Sequence, residues 1–271
     1  GRAGAFALPA GARGSSPDAG RLLFAVPWRG LTMVGTGHYP VDDGRSDELG
    51  GEPGDRAVAP EVARFATEVR AAFPDGGAAL GEPVAIHRGW IPSAPGGESP
   101  LRRARIIDHA AHGTAGLVSI VSVKYTTGRL AAEEAVDLVV RKLGFAHKRS
   151  DTAVTPLPGA PHGSVGDLLR TARREVGDVV PPDVLEHLVR AYGTGYDRVL
   201  DWRGEVPGWD ERVVAGEPVI VAQLAHAVRE EMACTVEDLL DRRTELGARG
   251  LVSPRARELA AEMLARLGAR K

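Results

Sequence analysis

The spacing of hydrophobic and polar positions changes near residue 149, and this change predicts two parts. Before it, short apolar runs rich in β-branched residues alternate with glycine-rich connections, which is typical of strands and hairpins. After the proline-rich connector Ser150–Gly163, apolar residues recur every three or four positions, as they do in amphipathic helices. The pattern predicts an α+β fold, with a partial β-sheet and helices over residues 1–148 and an all-α helical domain over residues 149–271.

The first part shows little periodicity over residues 1–20, which we interpret as a flexible lead-in or the edge of something longer. The remaining apolar runs predict, in chain order, a hairpin over Arg21–Val34 turning at Pro27–Gly30, a helix over Pro60–Phe73, a strand over Val84–Pro92, and two paired strands, Ile106–His109 and Val118–Val123.

The second part predicts a bundle of about six helices. They are Val165–Val176 capped by Ser164, Asp183–Tyr192, Tyr196–Trp202, Val219–Met232, Val236–Leu246 capped by Thr235, and a last helix that opens at Ser253–Pro254 and runs through Leu267.

The stretch Leu117–Arg129 carries the strongest indication of chemistry. Its β-branched run predicts a buried strand, and the apolar spacing from Gly128 to Leu143 predicts a helix with Thr126 or Thr127 as its N-cap. Backbone N–H groups and the positive end of the helix dipole would then lie beside Lys124, which suits an anion or an electron-rich ring. The alternative is ordinary: most strand–turn–helix units only connect elements, and a lysine at a turn is usually solvated.

Composition and charge narrow the classes of function. The chain of 271 residues has a formal net charge of -2 and a pI of about 6.5, which disfavours a nucleic-acid binder. Cys234 is the only cysteine, so no intrachain disulfide is expected and a reducing, cytoplasmic location fits. We find no apolar span of membrane length and no signal-peptide pattern, so we expect a soluble protein. The histidines show no recognisable metal pattern, and we expect no metal.

Three motifs carry a resemblance to one enzyme family. Lys124–Arg129 reads K-Y-T-T-G-R, residues from Pro27 read P-W-x-G-x-T-x-x-G-T, and Glu231–Gly247 contains E-x-A-x-T-V-x-D-x-L-x-R-R-T-x-L-G. Together they resemble FAD-dependent glycerol-3-phosphate dehydrogenases and oxidases, including their C-terminal helical domain. Within the third motif we expect a structural role, since Asp238 and Arg242 stand four residues apart on a predicted helix.

The resemblance implies that residues 1–148 are the C-terminal part of an FAD- and substrate-binding domain. It implies substrate contacts from Lys124 and Arg103, although Arg103 also fits a solvated basic cluster. The residues implied to line the cofactor are Trp90, Val123, Lys124, Tyr125, Thr126 and Thr127. No catalytic base is identified.

Three departures from the family pattern limit what the resemblance implies. Ile91 stands where the family has a phosphate-binding arginine, and Arg88 replaces it only if the loop is rearranged. Val123 stands where the family has a glycine close to the ring. The dinucleotide fingerprint G-x-G-x-x-G cannot be found, so the chain resembles only the second half of the family and an N-terminal FAD-binding chain is an expected partner.

Two functions remain open from the sequence. The first is part of an FAD-dependent oxidoreductase of glycerol metabolism, which oxidises a hydroxyl-bearing carbon of a small substrate by hydride transfer to the flavin. The second is a truncated, catalytically inactive remnant or partner subunit that binds no flavin alone. Contact with a membrane surface, the electron acceptor and the oligomeric state stay undetermined.

Overall fold

The computed structural model describes residues 4–9, 21–39, 60–73, 81–89, 91–93 and 100–268. The chain divides into two compact units. The first comprises residues up to Pro83 together with His87–Val154, and the second comprises Val84–Ile86 together with the residues from Thr155 onward. The boundary predicted between residues 148 and 149 stays a prediction.

The first unit opens with a three-stranded antiparallel sheet in the order β1 (Phe6–Pro9), β2 (Leu22–Trp28), β3 (Leu31–Gly35). Strands β2 and β3 form the predicted hairpin, in which Arg29 and Gly30 both have positive φ and reverse the chain. Strand β1 pairs Phe6 with Ala25. Of the two interpretations of residues 1–20, the flexible lead-in is wrong for Phe6–Pro9, because pairing with β2 orders a run too short to show a period.

Helix α1 (Pro60–Ala72) covers one face of this sheet, as its amphipathic pattern predicted. Leu23 and Val69 form a small buried cluster with Phe65 and Phe73 packed against it. Glu68 of α1 accepts hydrogen bonds from Arg21 and, at 3.3 Å, from the Tyr39 hydroxyl. Burial beside that carboxylate raises the pKa of Tyr39.

A second hairpin in the same unit carries the predicted turn. Strand β4 (Arg105–Asp108) pairs antiparallel with β5 (Val118–Val121), and helix α2 (Gly128–Lys142) packs against both strands. Strand β4 begins and ends one residue earlier than predicted, because a 3₁₀ turn over His109–His112, closed by Gly113 with φ 88°, takes the chain out of the ladder. Strand β5 ends at Val121, two residues earlier than predicted.

The second unit is helical and holds most of the buried apolar residues. Its helices are α3 (Val165–Val176), α4 (Pro182–Tyr192), α5 (Tyr196–Leu200), α6 (Val221–Glu230) and α7 (Pro254–Leu267), with a π-helical turn over Asp238–Arg242. Two neighbouring clusters fill its interior, one around Leu188 and Val184 and one around Leu224 and Leu240. The predicted cap of α3 is confirmed, because Ser164 and Asp167 bond each other's backbone N–H groups.

The α+β fold class is confirmed, but two predicted elements are wrong. The described part of Val84–Pro92 forms no strand, because its apolar positions find no partner strand there. The helix predicted over Val236–Leu246 is reduced to the π-helical turn. There the Thr244 hydroxyl donates to the carbonyls of Leu239 and Leu240, and Gly247 N–H donates to Leu240, so the chain leaves the helix early.

Candidate functional site

The predicted turn lies at one end of the second hairpin, and an ion pair fixes that arrangement. Lys142, the last residue of α2, places its Nζ 2.6 and 2.7 Å from the two carboxylate oxygens of Asp108, the last residue of β4. The C-terminal end of α2 is therefore held at the Asp108 end of the hairpin. Its N-terminus lies at the opposite end, where β5 runs out and the turn begins.

The strand register brings Arg103 to the same end as Lys124. Arg105 is paired with Val121, so the residues before β4 and those after β5 leave the ladder side by side. Arg103 is two residues before Arg105, and Lys124 is three residues after Val121. The hairpin thus places Arg103 and Lys124, the two predicted substrate contacts, at the same end. Both residues lie outside the strand pairing, so the register does not set the direction of their side chains.

The turn leaves two backbone donors without an acceptor among the described residues. The Thr127 N–H and its hydroxyl both contact the Lys124 carbonyl, at 3.3 and 3.2 Å, and the Gly128 N–H bonds the Tyr125 carbonyl. Among the described residues the N–H groups of Tyr125 and Thr126 have no acceptor. Thr127 occupies the predicted N-cap position of α2, but the predicted cap bond is absent, because its hydroxyl is bonded to Lys124 instead.

Charge at this end of the hairpin is positive and open to solvent. Every residue from Lys124 to Leu130 is exposed, and the Tyr125 side chain is fully so. Arg103 is exposed as well, and within the described ranges neither Arg103 nor Lys124 has a side-chain hydrogen bond or ion pair. Arg129, by contrast, is held by Glu133 at 2.5 Å and by the Thr152 hydroxyl at 3.1 Å.

The far end of the hairpin is polar and internally satisfied. Hydrogen bonds from Lys142 and from the Ala110 N–H lower the pKa of Asp108, so this carboxylate is ionised at neutral pH. His109 Nε2 lies 2.9 Å from the Ser119 hydroxyl across the hairpin. These groups serve the architecture of the hairpin and lie away from the turn.

The residues of the turn fit one edge of an acceptor-rich ring. Two N–H groups without an acceptor among the described residues, a lysine and the N-terminus of α2 together suit an anion or the carbonyl edge of a flavin. Val123 is half-buried at the base of the turn. Trp90, the predicted aromatic contact, lies outside the described residues. Ile91 is exposed, as is Arg88. The substitution of Arg88 for the family's arginine stays a prediction.

The third motif, Glu231–Gly247, holds the chain together after α6. Asp238 accepts hydrogen bonds from the N–H groups of Cys234 (2.9 Å) and Thr235 (3.0 Å), which lower its pKa, and it pairs with Arg242 at 3.0 Å. Arg243 donates two hydrogen bonds, of 3.0 and 2.7 Å, to the Glu231 carbonyl. The Asp238 and Arg243 side chains thus bond nearby backbone groups, and Arg242 pairs with Asp238, which favours the structural role expected of this motif.

A buried polar cluster in the helical unit was not predicted from the sequence. Gln223 accepts a hydrogen bond from the Ile220 N–H at 3.2 Å, and its amide nitrogen lies 3.1 Å from His187 Nε2 and 3.3 Å from the Tyr192 hydroxyl. Burial raises the pKa of Tyr192 to about 12. His226 stacks edge-on against the Tyr192 ring at 5.4 Å. The sequence did contain a signal for this cluster: His187 and Gln223 each stand on the otherwise apolar side of a predicted helix.

Across the described ranges, no group of three or more His, Cys, Asp or Glu side chains is arranged to hold a metal ion. Over the same ranges, no helix has both the length and the apolar character needed to cross a bilayer.

Comparison with known proteins finds similarity to glycerol-3-phosphate enzymes. Residues 150–270 match the family model of the C-terminal domain of alpha-glycerophosphate oxidase. A glycerol-3-phosphate dehydrogenase of Synechocystis is 29% identical over 230 residues, which are 83% of this chain and 40% of that protein. A probable mitochondrial glycerol-3-phosphate dehydrogenase of Caenorhabditis elegans is 30% identical over 246 residues, which are 84% of this chain and 31% of that protein. The chain thus spans well under half the length of these relatives.

Proposed function

We propose, on the premise that residues 150–270 are a C-terminal domain of the alpha-glycerophosphate oxidase family, that this chain is part of an FAD-dependent oxidoreductase. The reaction is oxidation of a hydroxyl-bearing carbon of a small anionic substrate, of the glycerol 3-phosphate type, in glycerol metabolism. The observation that carries the proposal is the turn at Lys124. There a lysine and two backbone N–H groups without an acceptor in the described ranges lie at the N-terminus of α2. We keep the cytoplasmic location as part of this proposal, because a single cysteine suits a reducing compartment.

Lys124 binds the anionic group of the substrate in this proposal. Its ammonium is free of any intrachain ion pair in the described ranges, so no existing contact has to be broken when an anion binds. Arg103 lies at the same end of the hairpin and adds a second positive charge. Two cations and a helix N-terminus raise the local concentration of an anion and orient it before the reaction.

The turn also holds one edge of the flavin. Bound FAD supplies the hydride acceptor, a chemistry that the chain's own side chains lack. The N–H groups of Tyr125 and Thr126 donate hydrogen bonds to the acceptor edge of the ring, where they stabilise negative charge. Val123, Thr127 and Trp90 complete the proposed contacts on this side. A separate N-terminal FAD-binding part supplies the binding site for the pyrophosphate, because this sequence contains no dinucleotide fingerprint.

Ile91 bears on the identity of the substrate, because it stands where the family has a phosphate-binding arginine. An isoleucine cannot donate a hydrogen bond, so a forked, charged phosphate ligand is missing where the family has one. Loss of one such contact costs about 1.5–3 kcal/mol of binding. The proposal therefore specifies an anionic, hydroxyl-bearing small molecule and leaves glycerol 3-phosphate itself as the first substrate to test.

A second candidate function is a partner subunit without catalytic activity. The observation that favours it is exposure: Lys124 and Tyr125 face solvent, and no residue of the described ranges encloses them. In this reading the turn is only a connection between β5 and α2, and the chain serves through its helical unit.

Flavin retention separates the two functions. The visible absorption spectrum of the purified chain with added FAD should show weak or no retained flavin, and flavin should be held tightly once an N-terminal FAD-binding part is present. Tight, stoichiometric binding of FAD to the chain alone would contradict the claim that half of the FAD-binding site lies outside this sequence. No flavin in the assembly would favour the inactive subunit.

Lys124 is tested by substitution in the flavin-loaded assembly. We expect Lys124→Ala to raise KM for glycerol 3-phosphate about 10- to 100-fold with kcat little changed, because a charge-assisted contact is worth about 1.5–3 kcal/mol. Lys148→Ala, at an exposed lysine outside the turn, is the matched control and should leave KM unchanged. An unchanged KM in Lys124→Ala would remove Lys124 from the substrate site.

A further inference from the structure

Three arginines stand on the exposed side of helix α3. Arg170 and Arg174 are one helical turn apart, and Arg173 lies about 60° from Arg170 round the helix. The opposite side of α3 buries Leu169 and Ala172 in the interior of the helical unit. The helix therefore presents three guanidinium groups to solvent within five residues, and the proposed function makes no use of them. We call these three arginines the α3 arginine site.

The three side chains line an open concavity on the surface of the helical unit. Its volume is about 430 Å³, and Asp167 and Thr171 complete its lining. This size falls in the range of about 300–1,000 Å³ that is usual for small-molecule sites. Three cations and a hydroxyl outnumber the one carboxylate in the lining, so the concavity suits a small anion that carries several charges.

The carboxylates beside the arginines already serve the fold. Asp167 accepts hydrogen bonds from the hydroxyl and the N–H of Ser164, at 2.6 and 3.2 Å, which close the start of α3. These hydrogen bonds lower the pKa of Asp167. Glu175 accepts a hydrogen bond of 2.8 Å from the buried Tyr196. Both acids are therefore explained without the arginines, whereas the burial of α3 does not explain why three arginines stand together.

The contacts that hold the arginines are ones that an anion can replace. Arg170 pairs with Asp167, and Arg173 lies 3.7 Å from Glu186, with each of these side chains at least 39% exposed. Exposed ion pairs contribute little, because water competes for both partners. Arg174 donates to a neutral hydroxyl at 3.2 Å. A phosphate group is a stronger acceptor than any of these, since a guanidinium binds it with two parallel hydrogen bonds.

A helix dipole accounts for only part of the cluster. Basic residues in the last turn of a helix offset its negative end, and Arg173 and Arg174 stand in that turn of α3. Arg170 stands before the last turn, so the dipole gives no reason for it. The three guanidinium groups are also spread over about 100° of the helix surface, which is wider than one phosphate group can contact.

We propose that the α3 arginine site binds a small molecule that carries two or more linked phosphate groups. The guanidinium groups contact neighbouring phosphates, and the Thr171 hydroxyl adds a donor once Arg174 turns to the ligand. The site lies in the helical unit and is independent of the flavin and of the Lys124 turn, so its failure would leave the proposed function untouched.

Calorimetric titration of the purified chain with sodium pyrophosphate tests the site directly. The ionic strength is held at about 0.15 M with sodium chloride, so that general attraction between charges is screened. We expect one pyrophosphate to bind per chain. Inorganic phosphate should bind about 10-fold more weakly, because it loses at least one charge-assisted contact.

Paired substitutions on α3 show whether the arginines are the ligands. Arg170→Gln with Arg174→Gln should weaken pyrophosphate binding at least about 10-fold, because two charged contacts are lost. Arg255→Gln with Arg257→Gln removes the same charge from exposed positions of α7, which packs against α6, and is the matched control. It should bind pyrophosphate as the wild type does. Thermal melts without ligand report whether each variant is folded.

Arg170→Lys with Arg174→Lys keeps both charges and tests the geometry of the contacts. It should still bind pyrophosphate several-fold more weakly than the wild type, since an ammonium cannot form two parallel hydrogen bonds to one phosphate. Binding that is unchanged in this variant would reduce the site to unspecific charge attraction and overturn the proposal, even if the glutamine variant failed to fold.

Three further results would overturn the proposal. They are no pyrophosphate binding by the wild-type chain, equal binding by the wild type and the folded glutamine variant, and equal weakening by the control on α7. Vesicles of phosphatidylglycerol distinguish a lipid surface from a free ligand. If they sediment the wild type but not the glutamine variant, and excess pyrophosphate does not release the protein, the arginines belong to a membrane contact instead.

Discussion

Asp238 and Thr235 exchange hydrogen bonds with each other's backbone. The Asp238 N–H donates to the Thr235 hydroxyl at 3.0 Å, and the Asp238 carboxylate accepts from the Thr235 and Cys234 N–H groups. This reciprocal arrangement is a capping box, here at the start of a single π-helical turn. The carboxylate therefore satisfies backbone donors that the short turn cannot satisfy by itself.

The ionised form of Asp238 should stabilise the helical unit. Hydrogen bonds from the backbone lower its pKa below the ordinary value of 3.8. Because the folded-state pKa is the lower one, the contribution is fully present above about pH 4 and is lost as pH falls through the folded-state pKa. We expect Asp238→Ala to lower the free energy of unfolding by about 0.5–2 kcal/mol at pH 7, as measured by urea denaturation.

At pH 7, Asp238→Asn should lower the free energy of unfolding by less than Asp238→Ala does, because the asparagine side-chain oxygen still accepts a hydrogen bond. The difference in the free energy of unfolding between Asp238→Asn and the wild type should shrink between pH 5 and pH 2, where the wild-type carboxylate becomes protonated. Glu230→Gln, at the exposed end of α6, is the control and should behave as the wild type does. A wild-type advantage over Asp238→Asn that persists at pH 2 would show that the charge plays no part.

At the scale of elements, the Asp108–Lys142 ion pair, which we call the pin, sets the direction of α2 along the hairpin. Small side chains at Ala131 and Ala135 let the helix approach the strands closely but make few specific contacts. The Asp108–Lys142 ion pair, with each side chain about one quarter to one third exposed, supplies the fixed point at the far end. The orientation of the Lys124 turn therefore depends on a contact eighteen residues away from it.

We expect Lys142→Gln to loosen the last turn of α2 and the paired ends of β4 and β5. A glutamine loses the charge and cannot hold both Asp108 oxygens, so local opening becomes easier. Hydrogen–deuterium exchange of the peptides that span 105–121 and 136–145 should be faster than in the wild type. Arg141→Gln, at the adjacent exposed position, should leave exchange unchanged, and equal exchange in both variants would contradict the role of the pin.

For the whole molecule, burial is uneven between the two units. Among the described residues, the buried apolar side chains of the first unit are Leu23, Ala25, Val69, Ala131 and Ala135, and all the others follow residue 168. Apolar burial is the main favourable term in folding, so the helical unit should be the more stable part of the chain.

We expect the purified chain to unfold in two thermal transitions, with the helical unit responsible for the upper one. Calorimetry should resolve both transitions, and far-ultraviolet circular dichroism should lose most of its helical signal in the second. A fragment of residues 155–271 should fold alone and reproduce the upper midpoint within a few degrees. A single transition by both methods would show that the units fold as one cooperative body.

Much of this architecture could be predicted from the sequence, because it depends on local signals. Periodicity gave α1, α2, α3, α4 and α7 nearly to the residue, since an amphipathic stripe with a cap restricts where a helix begins and ends. The hairpin at Arg29–Gly30 and the ion pair of Asp238 with Arg242 followed from spacing in the same way. The family resemblance likewise depended on short motifs, and the comparisons confirm it.

Tertiary structure decided the features that depend on distant partners. Strand β1 forms because it pairs with the edge of β2. The described part of Val84–Pro92 forms no strand, because it has no strand to pair with there. The pin between Asp108 and Lys142 joins residues 34 positions apart, which no local pattern indicates. The sequence by itself determined which residues form the candidate turn. Only the fold decided that this turn lies open to solvent, since exposure is set by whatever packs around a segment.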